Sequence, residues 1–182
     1  MKRIIKSMET KYETPALNLV EQVFTEHDNE TEGKLVRSLV EEIRSHANYL
    51  PQLELIMVDE KDEVIGYVMF SRFSLEGRYA DELLLLSPAA VKTALQRQHI
   101  SKELIEYGFQ KAREMGFTAV LVEGNPANYH ARGFKTAADY GILAGKTVHL
   151  PSIDCLMATE LVEGALSHIH GYVEYDCYSS LT

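Results

Sequence analysis

The stretch that decides the fold is LLLLSPAAVKTALQRQHISKELIEYGFQKAREMGFTAVLVEGNPANYHARGF, residues 83–134. It begins with an unbroken apolar run, residues 83–86, of the kind that forms a central strand covered on both faces. The polar segment QRQHIS, residues 96–101, opens an amphipathic helix, and a second apolar strand follows at residues 118–122. This order places a helix N-terminus beside a strand end, where backbone N–H groups can hold a phosphate. The stretch therefore predicts a parallel βαβ unit with an anion-binding loop.

Two residues inside this stretch predict where its elements end. Pro88 cannot donate a ladder hydrogen bond, so we expect the strand that begins at Leu83 to be interrupted or to diverge from its neighbour there. Gly116 follows the last apolar position of the helix and predicts a left-handed C-cap.

Periodicity and turn residues extend the prediction to the rest of the chain. Upstream we expect a strand at Ile4 and Ile5, a helix with Thr14 as N-cap and Pro15 as first residue, a helix over residues 32–45, and an antiparallel hairpin of residues 53–58 and 64–73. Downstream we expect a short helix over residues 128–132 that ends at Gly133, and closing strands at residues 157–162 and 169–175.

Composition limits the function classes. With 182 residues, 46% hydrophobic content and no segment that divides it, the chain is expected to form a single domain over residues 1–182. The net charge of -9 and the pI near 5.3 disfavour a nucleic-acid partner and an anionic membrane surface. No apolar run approaches the roughly 20 residues of a membrane span, so we expect a cytoplasmic protein.

Cysteine and histidine do not indicate a metal site. Cys155 and Cys177 are too few for a disulfide framework or a thiolate zinc site, and we expect them in strands as semi-buried thiols. His168 and His170 are predicted to share one strand face, but no third ligand is indicated. We therefore predict no metal.

Two motifs carry a resemblance to a known family. The phosphate loop of the GNAT superfamily of N-acetyltransferases reads Gln/Arg-x-x-Gly-x-Gly/Ala, and a later segment often reads Tyr-x-x-x-Gly-Phe. The chain resembles this superfamily, and in particular a subgroup of predicted acetyltransferases, from near Glu26 to near Tyr175. The fuller family pattern of the loop is Gln-Arg-Gln-Gly-Ile-Gly, which Gln96, Arg97, Gln98 and Ile100 match. The departures are His99 and Ser101, where glycines are expected. The second motif is intact as Tyr129, Gly133 and Phe134.

The resemblance implies the fold and the site. The GNAT acyl-CoA N-acyltransferase fold is α/β, with a mixed, mostly antiparallel sheet whose central parallel pair splays apart and is flanked by helices. The implied co-substrate is acetyl-CoA. The implied binding residues are Ala90 and Val91 for the pantetheine arm, Gln96, Arg97, Gln98, His99, Ile100 and Ser101 for the pyrophosphate, and Asn125 for a further contact to the pantetheine. Tyr129 matches the position that often protonates the departing thiolate.

Several of these roles have structural alternatives. Tyr129 could instead pack as a structural anchor with its hydroxyl in water, and Asn125 could only form an Asn-Pro turn. The general base that must deprotonate an amine is not identifiable from sequence, and the candidates are Glu123, Glu82, Glu26 and His27.

The resulting hypothesis is an acetyl-CoA-dependent N-acetyltransferase that acts on a primary amine of a small molecule or peptide by direct attack in a ternary complex. The alternative is a GNAT-like ligand-binding or interaction module in which His99 weakens or abolishes acetyl-CoA binding. A homodimer that pairs the strands around Tyr172 and Tyr175 is a further hypothesis.

Overall fold

A computed structural model describes all residues, 1–182. The chain forms two compact units, one from Met1–Ser71 and Ser87–Gly108, the other from Arg72–Leu86 and Phe109–Thr182. Each is described by itself. None of the helices is both long enough and apolar enough to cross a membrane.

The chain contains four helices and nine strands. They are β1 (Arg3–Ser7), α1 (Glu13–His27), α2 (Glu30–Arg44), β2 (Glu54–Asp59), β3 (Val64–Arg72), β4 (Leu83–Val91), α3 (Ile100–Glu114), β5 (Ala119–Glu123), α4 (Pro126–Tyr129), β6 (Lys135–Thr136), β7 (Ile142–Ala144), β8 (Leu156–Glu160) and β9 (Gly171–Val173). Short 3-10 turns fill several of the connections. Strand β1 and the hairpin of β2 and β3 confirm the predicted first strand and the predicted antiparallel hairpin.

The strands of the first unit pair antiparallel in the order β1, β2, β3. Ile5 of β1 lies opposite Met57 of β2, and Met57 lies opposite Gly66 of β3, so these three residues form one row across the sheet. The chain that leaves β4 runs along the start of β3, where Lys92 N–H donates to the Ile65 carbonyl at 2.9 Å.

Two helices of the first unit differ from the prediction at their N-termini. A 3-10 turn, Thr10–Tyr12, leads directly into α1, so Tyr12 is the N-cap and Pro15 lies in the first turn without being its first residue. Helix α2 begins at Glu30, because Asn29 adopts an extended backbone and its side chain accepts from the Glu32 N–H at 2.9 Å. Thr14 is therefore not a cap.

Helix α3 lies close to β3 because two residues there have no side chain. A Cβ on Gly66 would be 2.7 Å from Cγ2 of Ile100 and 2.9 Å from Cδ1 of Leu104, and a Cβ on Gly108 would overlap the Phe70 ring. Glycine permits this approach of helix and strand. The first turn of α3 is thus held at a fixed height over the sheet.

The second unit contains the parallel pair that the sequence predicts. Leu83 to Leu85 pair with Ala119 to Leu121, and pairing ends there although β4 continues to Val91 and β5 to Glu123. The pairing with β5 thus ends before Pro88, and β4 itself is not interrupted there. Gly116 has a φ of 94°, which confirms the left-handed end of the helix.

The other strands of the second unit complete its part of the sheet. Strand β8 pairs antiparallel with β5 and with β6, and a separate ribbon pairs β7 with β9 in parallel. Between them lies one hydrophobic cluster, which includes Phe73, Leu85, Leu121, Ile142, Leu166, Val173 and Tyr175.

Several predictions for the C-terminal third are wrong. Strands β6 and β7 were not predicted, because segments of two and three residues leave no periodicity to detect. His168 and His170 do not lie in a strand, since β9 begins at Gly171. Cys155 ends a 3-10 turn and Cys177 lies in a turn, so neither lies in a strand. Cys155 is half-buried, as predicted, whereas Cys177 is exposed.

The segment proposed to pair between subunits is engaged within its own chain. Strand β9 pairs with β7, and Tyr175 is 5% exposed, whereas Tyr172 is half exposed. Dimerisation stays a prediction.

Candidate functional site

The segment before α3 has the backbone of a glycine-rich loop without glycine. Arg97 and His99 both have a φ of 65°, in the left-handed region that glycine usually occupies. Gln96 to His99 are exposed, and Ile100, the first residue of the helix, is 1% exposed and anchors it. His99 therefore adopts the backbone conformation that a glycine would have at this position.

This loop has free backbone donors. The N–H groups of Arg97, Gln98 and His99 donate to no acceptor in the protein, whereas the His99 carbonyl already accepts from Glu103 in the first turn of α3. A helix N-terminus carries partial positive charge, and successive N–H groups in alternating conformations form an anion-binding concavity. The loop can therefore bind a phosphate group.

An arginine from β1 holds this loop in place. The Arg3 guanidinium donates to the Gln98 carbonyl at 3.0 Å and forms an ion pair with Glu103 at 2.6 Å. Arg3 thus ties the loop to the first turn of α3, across 95 residues of sequence. The bond to the carbonyl leaves the loop N–H groups unused.

The end of β4 leads into the loop through a short 3-10 turn, Thr93–Leu95. Ala90 is buried and Val91 is half-buried, and the Gln96 side chain folds back toward the Val91 carbonyl at 3.4 Å. The Thr93 hydroxyl donates to Glu26, the penultimate residue of helix α1. The end of α1 is thereby held beside the segment that leads into the loop of residues 96–99.

In the second unit, Asn125 starts the short helix after β5. Its side-chain oxygen accepts from the Ala127 N–H at 3.0 Å, and Pro126 is the first helical residue. The turn-forming role of Asn125 is therefore present in the structure.

The Tyr-x-x-x-Gly-Phe motif has a physical basis here. Gly133 ends the helical segment with a φ of 88°, which turns the chain so that the Phe134 N–H donates to the Tyr129 carbonyl. Phe134 is buried and packs edge-on against the Tyr129 ring at 5.6 Å. The ring also lies over Gly124, where a Cβ would be 2.6 Å from it.

Tyr129 has a hydroxyl that no protein group binds. Its side chain is half-buried, and burial raises the pKa of the phenol, although nearby Arg132 lowers it in part. The hydroxyl therefore keeps its proton at neutral pH and can donate it to a ligand.

Glu123 is the last residue of β5 and directly precedes Gly124, and a hydrogen bond from Tyr175 holds its side chain. The Tyr175 hydroxyl donates to Oε1 of Glu123 at 3.0 Å, and Oε2 has no hydrogen-bond partner in the protein. Burial raises the pKa of the Glu123 carboxyl, while the bond from Tyr175 lowers it. Burial and the adjacent carboxylate together raise the pKa of Tyr175, so that residue stays a donor.

The other three base candidates are placed differently. Glu26 accepts from Thr93 and Gln22, and both bonds lower the pKa of its carboxyl. Glu82 lies before the start of β4, and its carboxylate contacts His168 at 2.8 Å. His27 is exposed at the last residue of α1.

The structure thus groups the predicted residues in two sets. The first unit brings together Ala90, Val91 and the loop Gln96 to Ser101, and the second unit brings together Asn125, Tyr129 and Glu123. Sequence reasoning missed Arg3 and Tyr175, whose contacts join residues distant in sequence. A glycine inside a predicted strand was an available signal for Gly66.

Comparison with known proteins points to one family. The sequence profile described as Acetyltransferase (GNAT) family matches residues 17–137. The protein of Escherichia coli (strain K12) described as "Uncharacterized N-acetyltransferase YhbS" is 30% identical over 149 residues, which are 81% of this chain and 83% of that protein.

Solved structures share the fold. Escherichia coli YhbS, crystallised in complex with CoA, superposes with a TM-score of 0.82 and 25% identity, over 96% of this chain and 90% of that chain. A GNAT family acetyltransferase from Brucella melitensis in complex with acetyl-CoA superposes with a TM-score of 0.72 and 20% identity, over 100% and 99% of the two chains.

Proposed function

Because the chain belongs to the acetyltransferase (GNAT) family, we propose that it transfers the acetyl group of acetyl-CoA to a primary amine of a small molecule or peptide by direct attack. The observation that carries this proposal is the left-handed backbone at Arg97 and His99, directly before α3, with N–H groups that have no partner. Each of these two non-glycine residues has a conformation that costs roughly 1–2 kcal/mol, and backbone strain of this kind is found mainly at functional sites.

The residues present fit the co-substrate. Free N–H groups at a helix N-terminus suit a diphosphate, and the Arg3 guanidinium adds positive charge to the same loop. The end of pairing at Leu85 leaves the later residues of β4 without a β5 partner, so their backbone groups can pair with an amide-containing arm. The ligands of the two structural relatives, CoA and acetyl-CoA, support this choice.

We assign the residues as follows. The loop from Gln96 to Ser101 would hold the diphosphate, and Ala90 and Val91 would hold the pantetheine arm. Asn125 fixes the turn that precedes Tyr129 and is the remaining candidate for a pantetheine contact. When bound, acetyl-CoA supplies a thioester, whose acetyl carbon exchanges its bond to sulfur for a bond to the amine nitrogen.

The side chains of this protein manage protons and charge around that exchange. Backbone N–H groups at the end of β4 would stabilise the negative charge that develops on the acetyl oxygen. Tyr129 would give its proton to the departing sulfur, because its raised pKa keeps the hydroxyl protonated and no protein group occupies it. The amine must lose a proton before it attacks, since a primary amine has a pKa of roughly 10.

Calorimetric titration with acetyl-CoA tests the binding half of the proposal. We expect saturable binding in the micromolar range, together with a rise in the unfolding temperature that depends on ligand concentration. Folded protein that shows no heat of binding at millimolar acetyl-CoA would contradict the proposal.

Release of the CoA thiol, followed with a thiol reagent over a panel of primary amines, tests the chemical half. We expect at least one amine to accelerate thiol release, and mass spectrometry to find it heavier by one acetyl group. Tyr129→Phe is the matched variant, because it removes only the hydroxyl and keeps the ring on Gly124 and Phe134. We expect about 10²-fold lower turnover with unchanged acetyl-CoA affinity. Unchanged turnover would leave Tyr129 only its packing role.

A further inference from the structure

Acetyl transfer to an ammonium group requires a proton acceptor, and the second unit contains a carboxylate prepared for this task. Glu123 is exposed to solvent as a residue, yet one of its oxygens is fixed by a hydrogen bond from a tyrosine that is only 5% exposed. The other oxygen has no partner. An oriented carboxylate with one free acceptor atom has the geometry that a general base needs.

We propose that Glu123 is the general base of the acetyl transfer and that Tyr175 is the residue that positions it. This inference rests on the proposed function. Glu123 would accept one proton from the substrate ammonium at Oε2, and the nitrogen lone pair thus freed would form the new bond to the acetyl carbon. The amine nitrogen loses its second proton to water as the amide forms, the bond between the acetyl carbon and sulfur breaks, and Tyr129 gives its proton to the departing sulfur. Exchange with water then returns Glu123 to its carboxylate and Tyr129 to its phenol, so each turnover releases one proton.

The position of Glu123 along the chain supports this role. Glu123 lies two residues beyond Leu121, the last β5 residue that pairs with β4. The next residue in the chain is Gly124, and the Tyr129 ring packs against it. Within the second unit, the proposed acid Tyr129 and the proposed base Glu123 therefore lie on the two sides of the turn that begins at Gly124. Pairing of Glu123 with Leu156 of β8 fixes the backbone of the base.

Tyr175 is held firmly enough to position a neighbour. Its ring packs edge-on against Phe73 at 6.2 Å, and its backbone N–H donates to the Thr147 hydroxyl at 2.8 Å. That hydroxyl in turn donates to Glu174, whose carboxylate also accepts from two backbone N–H groups. Tyr175 is the one ionisable side chain that bonds Glu123.

Competing carboxylates are less suited. Glu26 is already bound by Thr93 and Gln22, which favour its ionised form and make it a weak proton acceptor. Glu82 has its carboxylate engaged by His168 at 2.8 Å. Burial around Glu123 acts in the other direction and makes its carboxylate a better proton acceptor.

The test compares Glu123→Gln with Tyr175→Phe on two probe amines, ethylamine and hydroxylamine. Ethylamine is protonated at pH 7 and needs a base, whereas hydroxylamine is largely neutral. Glutamine keeps an oxygen that accepts from Tyr175, so the substitution removes the basicity and preserves the hydrogen bond. We expect Glu123→Gln to lower kcat at least about 100-fold with ethylamine and less than about tenfold with hydroxylamine, above the uncatalysed background.

The pH profile separates positioning from packing. The acidic limb of kcat/KM for ethylamine should disappear in Glu123→Gln. In Tyr175→Phe the limb should move to higher pH, because the hydrogen bond that lowers the pKa of Glu123 is gone. KM should change little in either variant. A limb that stays in place in both variants, or equal losses with the two amines, would overturn the proposal.

Stability gives a readout that does not depend on turnover. Since the folded pKa of Glu123 is raised, the wild-type protein is most stable, with respect to this group, below the unfolded pKa near 4.3, and it loses that stability as pH rises through the folded pKa. Glu123→Gln should therefore raise the unfolding temperature at pH 8 but not at pH 4. An unfolding temperature at pH 8 that Glu123→Gln leaves unchanged would contradict a pKa of Glu123 raised by burial.

Acetyl-CoA titration of both variants keeps the two proposals distinct. We expect affinities within about threefold of the wild type, because neither residue belongs to the phosphate-binding loop. If the wild type itself does not bind acetyl-CoA, the proposed function fails. If it binds and the base test is negative, only the assignment of Glu123 fails.

Discussion

Replacement of His99 by glycine probes whether this loop is a working phosphate site or a degraded one. His99 has a φ of 65° and an exposed side chain. A non-glycine residue in this conformation costs roughly 1–2 kcal/mol. Glycine removes that cost, but the greater freedom of the unfolded chain offsets about 0.5–1 kcal/mol of it. We expect the free energy of unfolding to rise by about 0.5 kcal/mol, measured by urea titration.

The effect on binding follows from the backbone. Because the loop already has the left-handed geometry and Arg3 holds the Gln98 carbonyl, glycine at position 99 has little to rearrange. We expect the Kd for acetyl-CoA to change by less than about threefold, which corresponds to roughly 0.6 kcal/mol. His99→Ala is the matched control, since it removes the imidazole but keeps the strained Cβ. Arg97→Gly is a second control at the same φ.

One result would refute this reasoning. If His99→Gly and His99→Ala both tighten acetyl-CoA binding tenfold or more, about 1.4 kcal/mol, the imidazole blocks the phosphate position in the native protein. The chain would then be a binding module with a weakened site, as the alternative hypothesis states. A tenfold gain in the glycine variant alone would show that strain, and not the ring, limits affinity.

Three further predictions concern residues that support the site. Arg3→Met should raise the Kd for acetyl-CoA about fivefold in calorimetry, because one charge-assisted bond to the loop is lost, whereas Glu103→Gln, which spares the bond to Gln98, should change it less than twofold; equal effects would contradict the bracing role. Gly66→Ala should cost about 1–3 kcal/mol in urea unfolding and also weaken acetyl-CoA binding, since its Cβ meets Ile100 and Leu104, and a variant with unchanged affinity would show that the height of α3 does not matter. Glu54 is fully buried and accepts from Arg44, Tyr49 and Tyr67, so Glu54→Gln should cost about 3 kcal/mol while Tyr67→Phe costs about 1.5 kcal/mol; the reverse order in thermal unfolding would contradict a larger contribution of the Arg44 contact than of the Tyr67 hydrogen bond.

The sequence predicted those parts of the fold whose signals are local. The unit from β4 through α3 to β5 was identified because its apolar runs and helical periodicity are long, and the two motifs within it fixed the family. Strands of two or three residues such as β6 carry no such pattern, and they exist because β8 offers them a partner.

The site could be predicted only where it lies within one segment. Tyr129 and the phosphate-binding loop are contiguous motifs, so their residues could be named in advance. The partner of Glu123 is 52 residues away and that of Gln98 is 95 residues away. These pairs depend on the packed structure, which no spacing rule in the sequence describes. The backbone conformation of His99 could not be predicted from the sequence either. A histidine in place of glycine indicated a different loop, but its φ of 65° is one that glycine would adopt.

The missing side chains at Gly66 and Gly108 have a consequence for how variation in this chain should be interpreted. Neither residue offers a chemical group to any ligand, yet both set the clearance between α3 and the strand beneath it. Substitutions at these two positions are expected to weaken acetyl-CoA binding while every residue of the proposed binding site remains unchanged. A survey that scores only ligand-contacting residues would overlook them.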